Sequence, residues 1–219
     1  MEVKKIEYED TKKWILNKHY AQRMPSISYA FGLFIDDKIE GVLTIGKPVS
    51  NGLCKNLCGE EYKDKIYELN RLVTNNNLPK NTLSYFVSHS LKMLAEEKLI
   101  IVSYADDGMG HHGYIYQATN WIYTGKTKKR TDKYTESGKH SRHYTNRNST
   151  NHLRKVRFSK YRYVYFTDKR MRKTPEKYLN TKRYPVLKEY PKGNNDNYNF
   201  GYRKKDKIIN KKTGDIFYQ

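Results

Sequence analysis

The residues best suited to chemistry lie in one stretch, VSYADDGMGHHGYIYQATNWIYTG, which spans residues 102–125. An apolar run leads directly into Asp106 and Asp107, and three glycines among the next six residues let the backbone approach a ligand closely. Tyr114 and Tyr116 follow on the next predicted helix. A carboxylate and a phenol brought to one cleft can act as general base and general acid. The alternative is that Asp106 only caps the following turn and that the tyrosines belong to the core.

The same stretch carries a histidine pair, His111 and His112. Adjacent histidines usually point in different directions, so the pattern favours hydrogen bonding or a phosphate contact over metal binding. The two cysteines, Cys54 and Cys58, have three residues between them, a spacing that fits neither a disulfide framework nor a clear zinc site. The sequence therefore predicts reduced, structural thiols and assigns no metal ligands.

Two strands and a crossover helix are predicted to position these residues. LIIVSYAD is typical of a strand buried on both faces, and TLSYFVSHSLKMLAEEK has the spacing of an amphipathic helix. The preceding segment, KIYELNRLVT, predicts a strand with Arg71 on one face and Glu68 on the other. Strand, helix and strand form a crossover unit. Ligands of such units bind beyond the carboxyl ends of the strands, where Asp106 lies.

The chain before this unit is predicted to contain a helix and a hairpin. TKKWILNKHYAQRM is typical of a helix capped by Asp10 or Thr11, with His19 and Tyr20 near its end. ISYAFGLFIDDKIEGVLTIG is typical of a hairpin that turns at residues 36–38. After the crossover unit, GYIYQATNW predicts a short helix and WIYTGK a strand. Together these elements predict an α/β protein with a mixed central sheet flanked by helices.

Two parts of the chain are distinguished by composition. We expect a catalytic domain over residues 1–170 and a basic, tyrosine-rich C-terminal extension over residues 171–219. Within the domain, residues 126–152 are polar and favour a basic loop insertion, whereas YRYVYFT is typical of a strand. In the extension, Ile208, Ile209 and Phe217 are the side chains expected to dock.

Positive charge is concentrated in the second half of the chain. Residues 1–120 hold 15 Lys and Arg against 15 Asp and Glu, whereas residues 121–219 hold 28 against 8. Cations interleaved with aromatic residues, as in KVRFSKYRYVYFTDKRMRK, favour nucleic-acid binding, although a solvated basic tail is the alternative. The residues predicted to contact nucleic acid are Lys155, Arg157, Lys160, Arg162, Lys169 and Arg170.

Membrane segments are not expected. The sequence has no apolar run long enough to cross a membrane, and residues 1–10 lack the apolar core of a signal peptide. We therefore expect a cytoplasmic protein with no membrane partner.

Several blocks of the sequence resemble known proteins. The order of the elements and IYQATNWIYTGK are similar to the GNAT acyltransferase fold. More specifically, LNKHYAQRMPS, YELNRLVTNNNLPKNTLSYFVSHSLKML, VSYADDGMGHHGYIYQATNWIYTG and KYRYVYF together resemble the phage Mom family of DNA modification proteins, over residues 10–170. The resemblance implies conversion of the exocyclic amine of adenine in phage DNA to a carbamoylmethylated form, which host restriction enzymes no longer recognise. A phage protein of this kind would act in the host cytoplasm.

The resemblance also implies functional residues. By position, the catalytic residues fall on His19, Tyr20, Asp106, Tyr116 and a helix serine, taken as Ser84 with Ser88 and Ser90 as alternatives. The residues expected to bind substrate are Arg71, Tyr104, His111 and His112. Because adenine must leave the duplex to be reached, the expected partner is double-stranded DNA with a flipped adenine.

The expected donor is an activated glycyl group. GNAT enzymes hold the pyrophosphate of coenzyme A in a glycine-rich loop, but the corresponding segment here, NNNLPKNTLS, has no glycine. Acetyl-CoA is therefore doubtful as donor. Glycyl-tRNA would explain both the missing glycines and the basic surface, which makes tRNA a second expected partner, and a small glycyl thioester is the other candidate. The sequence does not decide whether iron or another metal is bound.

Two other functions fit parts of the sequence. The protein could be a GNAT-like acyl or aminoacyl transferase for an amine outside DNA, although the charge of residues 121–219 argues against this. It could also be a DNA-binding protein without catalysis, although Asp106 and Tyr116 argue against that. Nucleoside analysis of DNA separates the three functions.

Overall fold

The computed structural model describes residues 1–134, 152–193 and 204–219. The helices are α1 (Tyr8–Asn17), α2 (Asn51–Leu57), α3 (Thr82–Lys92), α4 (Tyr114–Ala118) and α5 (Lys169–Lys173). The strands are β1 (Glu2–Lys5), β2 (Tyr29–Ile35), β3 (Lys38–Gly46), β4 (Ile66–Thr74), β5 (Ile100–Asp106), β6 (Ile122–Lys126), β7 (Arg130–Lys133), β8 (Leu153–Arg157), β9 (Lys160–Phe166), β10 (Lys207–Asn210) and β11 (Ile216–Tyr218). Among these residues, no helix is long and apolar enough to cross a membrane.

The main sheet has seven strands in the order β1-β2-β3-β4-β5-β9-β6. Its neighbouring strands are antiparallel except β4 and β5, which are parallel and joined through α3. The predicted mixed sheet, the hairpin β2–β3 and the crossover unit are therefore confirmed. The helix α3 ends at Lys92, six residues before the predicted end at Lys98.

The parallel pairing of β4 and β5 is short. It joins only three residue pairs and ends where Glu68 lies opposite Val102. Beyond this point β4 continues to Thr74 beside β3, while β5 continues to Asp106 beside β9. A gap therefore opens between the carboxyl-terminal halves of the two strands, and each half has one strand edge without a backbone partner in the sheet.

Hydrophobic clusters cover both faces of the main sheet. On one face Phe86 of α3 packs in the cluster that contains Leu69 and Ile101. On the other face Leu57 of α2 packs in the cluster that contains Val102. Since side chains alternate along a strand, β4 and β5 contribute side chains to both clusters. Packing on both faces of the sheet therefore fixes the positions of the two strands on either side of the gap.

The first helix differs from its prediction. The range Tyr8–Asn17 begins after a capping box in which Asp10 accepts the backbone N–H of Glu7, so the predicted cap at Asp10 or the next residue is wrong. The helix also ends earlier than predicted. His19 and Tyr20 consequently lie in the turn that follows α1, and not within its last turn.

A second sheet, in the order β11-β10-β8-β7, was not predicted. Its strand β7 lies inside the predicted loop insertion, of which residues 135–151 are outside the described residues. The strand β10 pairs with β8 and buries Ile208 completely, which confirms the expected docking of this side chain, whereas Phe217 is 41% exposed and its expected docking is wrong. Strands β7 and β8 are rich in charge, and β10 and β11 are only four and three residues long, so these strands lack the apolar alternation by which strands are recognised.

The boundary predicted at residue 170 stays a prediction. Leu179 and Tyr184, which belong to the predicted extension, pack in one cluster with Val164 and Phe166 of β9. Residues 171–193 therefore contribute to the hydrophobic cluster on the face of the main sheet that α2 covers.

Replacing Phe86 by alanine is expected to lower the free energy of unfolding by about 3–5 kcal/mol, because a fully buried ring is removed and a cavity remains. Urea unfolding followed by circular dichroism measures the change. Met93→Ala, which truncates a side chain 42% exposed just after the same helix, is the matched control and should change the free energy of unfolding by at most about 0.5 kcal/mol. Similar losses in both variants would contradict the core position of Phe86.

Candidate active site

The candidate active site lies at the gap between β4 and β5, whose narrow end is closed by Ser103. The hydroxyl of Ser103 donates to the carbonyl of Leu69 across 2.8 Å, so a side chain joins the strands where their backbone pairing has ended. The hydroxyls of Ser103 and Tyr116 are also hydrogen-bonded, at 2.8 Å. This bridge fixes the position at which the strands separate.

Tyr116 is buried beside this narrow end. Its ring, 8% exposed, packs against Trp121 and Tyr163 at centroid distances of 5.0 and 5.1 Å. Burial raises the pKa of Tyr116 to about 12, so its phenol keeps the proton at neutral pH. The ring therefore belongs to the core, as the alternative interpretation holds, while its hydroxyl faces Ser103 at the gap.

Asp106 ends β5 at the wide end of the gap. Its carboxylate accepts the backbone N–H of Gly108 at 3.0 Å and thus caps the following turn. It also forms an ion pair of 2.9 Å with Lys160, its register partner on β9. A carboxylate has about four lone-pair sites, so these two contacts leave acceptor capacity for a substrate.

An aromatic group lies beside this carboxylate. The rings of His19 and Tyr20 stack at 4.3 Å, and Tyr20 meets the ring of His111 edge-on at 6.0 Å. Nδ1 of His19 accepts the backbone N–H of Ala21 at 3.0 Å, so the neutral ring carries its proton on Nε2. The turn after α1 and the loop after β5 are therefore brought together.

The environment of His19 keeps its ring neutral. The side chain is buried, and burial is the largest cause that lowers the pKa of His19 to about 3. The positive charges of Arg71, His111 and Lys160 lower the pKa further, in that order. Because these groups all act on one ring, they surround the same space at the end of the gap.

Arg71 enters this space from β4. Its guanidinium donates to the carbonyl of Arg23 at 2.7 and 3.2 Å and to the carbonyl of Asn70 at 2.6 Å. These bonds use three of its five N–H donors and hold the group against the segment that follows α1. Burial lowers the pKa of Arg71, but a guanidinium stays charged at neutral pH. Two donors remain for an anionic or carbonyl oxygen of a substrate.

Glu68 also belongs to the site, although the sequence did not single it out. It lies on β4 at the last parallel residue pair. Burial raises the pKa of Glu68, while Lys160 and then Arg71 act in the opposite direction. Its neighbour on the same strand face, Ile66, is fully buried, but this burial depends on the tertiary structure, so the sequence offers no signal that identifies Glu68.

Comparison with known proteins agrees with the resemblance read from the sequence. The model of the Mom protein family matches residues 1–186. This chain belongs to the Mom protein family. The methylcarbamoylase mom of Escherichia phage Mu is 30% identical over 196 residues, which cover 81% of this chain and 78% of that protein.

Solved structures similar to this Mom-family chain include acetyltransferases. An aminoglycoside 6'-acetyltransferase type Ii is 10% identical, covers 76% of this chain and 97% of its own, and has a TM-score of 0.44. A probable acetyltransferase from Staphylococcus epidermidis is 12% identical, with coverages of 76% and 98% and a TM-score of 0.46.

The helix serines predicted for catalysis have local partners in this Mom-family chain. Ser84 donates to the carbonyl of Asn81 at 2.9 Å in the first turn of α3. Ser90 is fully buried and donates to the carbonyl of Phe86 at 2.9 Å. In the described ranges, no hydrogen bond joins either serine to the residues at the gap. The catalytic serine, with Ser88 as the other alternative, stays a prediction.

His112 and Tyr104 contact other parts of the protein. A Cβ atom at Gly193 would lie 2.7 Å from Nδ1 of His112, so this ring packs against the C-terminal segment, whereas His111 faces Tyr20. Tyr104 packs with the cluster below the sheet, and burial raises its pKa. The two histidines therefore point apart as expected, and the substrate-binding roles of His112 and Tyr104 stay predictions.

Most of the cations predicted to contact nucleic acid have partners within the protein. Besides Lys160, Lys155 and Arg157 each form an ion pair with an aspartate. Arg162 donates to the hydroxyl of Thr124 at 2.9 Å and to its carbonyl at 2.7 Å. These contacts stabilise the two sheets, and they reduce the positive charge that is available to a polyanion.

The remaining two cations, Lys169 and Arg170, are exposed on α5. This helix follows Phe166, whereas Lys160 and the gap lie at the opposite end of β9. The six predicted residues therefore do not form one continuous surface, and their binding to nucleic acid stays a prediction.

Metal ligands are not grouped in the part of the chain that the structure describes. No set of three or more His, Cys, Asp or Glu side chains there is arranged to hold a metal ion. Cys54 and Cys58 are both free, and burial raises the pKa of Cys58 to about 12, which fits a structural thiol.

His19 is expected to remain neutral at pH values where an exposed histidine is protonated. Its folded-state pKa, about 3, lies below its ordinary value of 6.5, so protons bind preferentially to the unfolded chain. The stability of the native protein should therefore fall as the pH drops from about 6.5 toward about 3. NMR of the ring nitrogens should show the Nε2–H form down to about pH 4, and Arg71→Met should raise the pKa. Titration of His19 near its ordinary pKa would contradict the described burial.

Proposed function

We propose that this Mom-family protein converts adenine in phage DNA to its N6-carbamoylmethyl form, which protects the DNA from host restriction enzymes. Family membership and the 30% identity to the methylcarbamoylase mom of Escherichia phage Mu support this reaction. The structural observation that supports it best is the gap between β4 and β5, where a carboxylate, a neutral histidine and an arginine meet. The substrate is double-stranded DNA with one adenine flipped out of the helix.

His19 and Tyr20 are the proposed holders of the flipped adenine. Enzymes that flip bases hold them by stacking and by hydrogen bonds to the base edge. The pair of rings stacked at 4.3 Å offers an aromatic surface, and the Nε2–H of His19 can donate to a ring nitrogen of adenine. A neutral histidine can make this bond without placing a second positive charge next to Arg71.

Asp106 is the proposed general base. The exocyclic amine of adenine is a poor nucleophile, because its lone pair is delocalised into the ring, so its attack requires removal of a proton. The carboxylate of Asp106 is held in position by Gly108 and Lys160 and has acceptor capacity left.

The sequence resemblance to GNAT acyltransferases implies acyl transfer, whereas the proposed product is an alkylated amine, and a two-step reaction connects them. First, the adenine amine attacks the carbonyl carbon of the activated glycyl group, and the carrier leaves. The glycyl amine then attacks ring carbon six, the bond from this carbon to the original nitrogen breaks, and that nitrogen becomes the amide nitrogen of the product. Tyr116, whose phenol is protonated at neutral pH, is the proposed acid for the leaving group.

The donor carrier is either tRNA or a small thiol. The segment before α3 has no glycine to wrap the pyrophosphate of coenzyme A, but Asn77 and Asn81 adopt positive φ angles of 62° and 67° there. Asparagine tolerates this conformation better than most residues, so the segment can curve without glycine. A thioester donor is therefore compatible with the backbone, and the basic charge of residues 121–219 supports the tRNA version.

Asp106→Asn is expected to lower the amount of modified adenosine by about 100-fold or more, because the amide cannot accept the proton although it still caps the turn. The measurement is mass spectrometry of nucleosides digested from the DNA of cells that express each variant. Asp64→Asn changes an exposed carboxylate and is the matched control.

The outcomes of this experiment separate the hypotheses. Wild-type protein that is well expressed and leaves adenosine unmodified would refute the proposed function and direct attention to amines outside DNA or to binding without catalysis. Full modification by Asp106→Asn would refute Asp106 as the base but leave the reaction intact.

Transfer from glycyl-tRNA is expected to deliver radiolabelled glycine to adenine in duplex DNA in the presence of the purified protein. The same label attached to coenzyme A as a thioester is the parallel donor. If label reaches DNA only from the thioester, tRNA is not the carrier of the glycyl group and the tRNA version of the proposal is refuted.

A further inference from the structure

Glu68 is a carboxylate at the gap for which the proposed reaction has so far given no role. It lies at the last residue pair of β4 and β5, so the strands separate directly beyond it. By strand alternation its side chain is on the sheet face that carries Tyr104. Its charge acts on the phenols of Tyr104 and Tyr116 and on Arg71, so the carboxylate lies within electrostatic range of these groups.

Among the described residues, the carboxylate of Glu68 has no hydrogen-bond or ion-pair partner. Within residues 1–134, 152–193 and 204–219, Glu68 forms no side-chain hydrogen bond and no ion pair. The two cations that act on it have other contacts, because Lys160 pairs with Asp106 at 2.9 Å and Arg71 donates to the carbonyl of Arg23 at 2.7 Å. A half-buried carboxylate without a partner is uncommon, since removing its water is unfavourable.

The other carboxylates near the gap are already engaged. Asp106 is paired with Lys160, and Asp107 is paired with Lys204 at 3.0 Å. Burial raises the pKa of Glu68, and a cation bound beside it would favour its charged form and offset the desolvation. Glu68 is thus the acidic group at the gap that is left for a cationic part of a substrate.

A glycyl donor has one such cationic part. Apart from its carrier, the glycyl group differs from an acetyl group only by the α-amino group, which is protonated near neutral pH. An enzyme that uses glycyl and excludes acetyl groups therefore needs a contact with this ammonium. A carboxylate is the side chain that fits, because charge-assisted hydrogen bonds to an anionic acceptor are the stronger kind.

We propose that Glu68 binds the α-ammonium of the donor and thereby selects an aminoacyl group over a simple acyl group. The inference rests on the proposed glycyl transfer to adenine. It makes Glu68 a specificity residue for the donor, while Asp106 acts on the adenine amine. In the rearrangement the ammonium must lose one proton before its nitrogen attacks ring carbon six, and the carboxylate of Glu68 takes that proton to become a carboxylic acid.

The test compares two donors that differ in charge and not in shape. Glycyl-tRNA and the glycyl thioester of coenzyme A are each set beside the glycolyl derivative, in which a hydroxyl group replaces the ammonium. Wild-type protein should prefer glycyl over glycolyl by roughly 10- to 100-fold, the range of a charge-assisted hydrogen bond. Glu68→Gln should lose this preference because glycyl transfer falls by that factor while glycolyl transfer stays within about threefold of wild type.

Two controls accompany the comparison. Glycolyl transfer by Glu68→Gln shows within the same sample that the variant is folded and that its acceptor site works. Glu61→Gln makes the same chemical change at an exposed position of the segment before β4 and should keep the wild-type preference.

Three outcomes would overturn the inference. Glycyl transfer by Glu68→Gln at the wild-type rate would show that the ammonium is bound elsewhere. An equal fall in the transfer rate with both donors would show that Glu68 acts on the acceptor amine or stabilises the fold, and does not recognise the ammonium. Wild-type protein that modifies adenine in cells but accepts neither glycyl donor would show that the donor has no glycyl ammonium for Glu68 to bind. Unmodified adenine in those cells would instead refute the proposed function itself.

Discussion

The parallel pairing of β4 and β5 ends after three residue pairs, and the rest of the site depends on this. Backbone groups that leave a ladder must find other partners or face solvent or ligand. Here each strand keeps one neighbour, β3 or β9, and Ser103 satisfies the carbonyl of Leu69 at the point of separation. The gap is therefore a stable part of the sheet, and side chains from both strands can line it.

Two ion pairs lie near the gap among the described residues. Lys160 and Asp106 balance each other, and Lys204 balances Asp107. The hydrogen bonds of Arg71 described above go to backbone carbonyls, and Glu68 has no hydrogen bond or ion pair among the described residues, so the charges of this arginine and this carboxylate are left for a ligand. A ligand that has both an ammonium and a carbonyl or phosphate oxygen would complement both groups.

Local patterns predicted the elements whose burial depends on their own spacing. The apolar run before Asp106 predicted β5, and the helical spacing predicted α3, because each segment has a continuous apolar face. The pairing of Asp106 with Lys160 could not be predicted, since it depends on β9 lying beside β5 in the sheet. Glu68 was missed because a glutamate in a strand with a polar face is usually solvated, and its burial follows only from α2 covering that face.

The place of β9 in the main sheet has a consequence for biosynthesis. It lies between β5 and β6, although it follows both in the chain, so β5 pairs with a segment that is made more than fifty residues later. Contacts between distant segments form slowly, and chains emerge from the ribosome from the N-terminus onward. The nascent chain therefore exposes one edge of β5, and the carboxylate of Asp106 lacks its cation, until Lys160 has been synthesised. The charged groups at the gap are thus completed late, when most of the chain has left the ribosome.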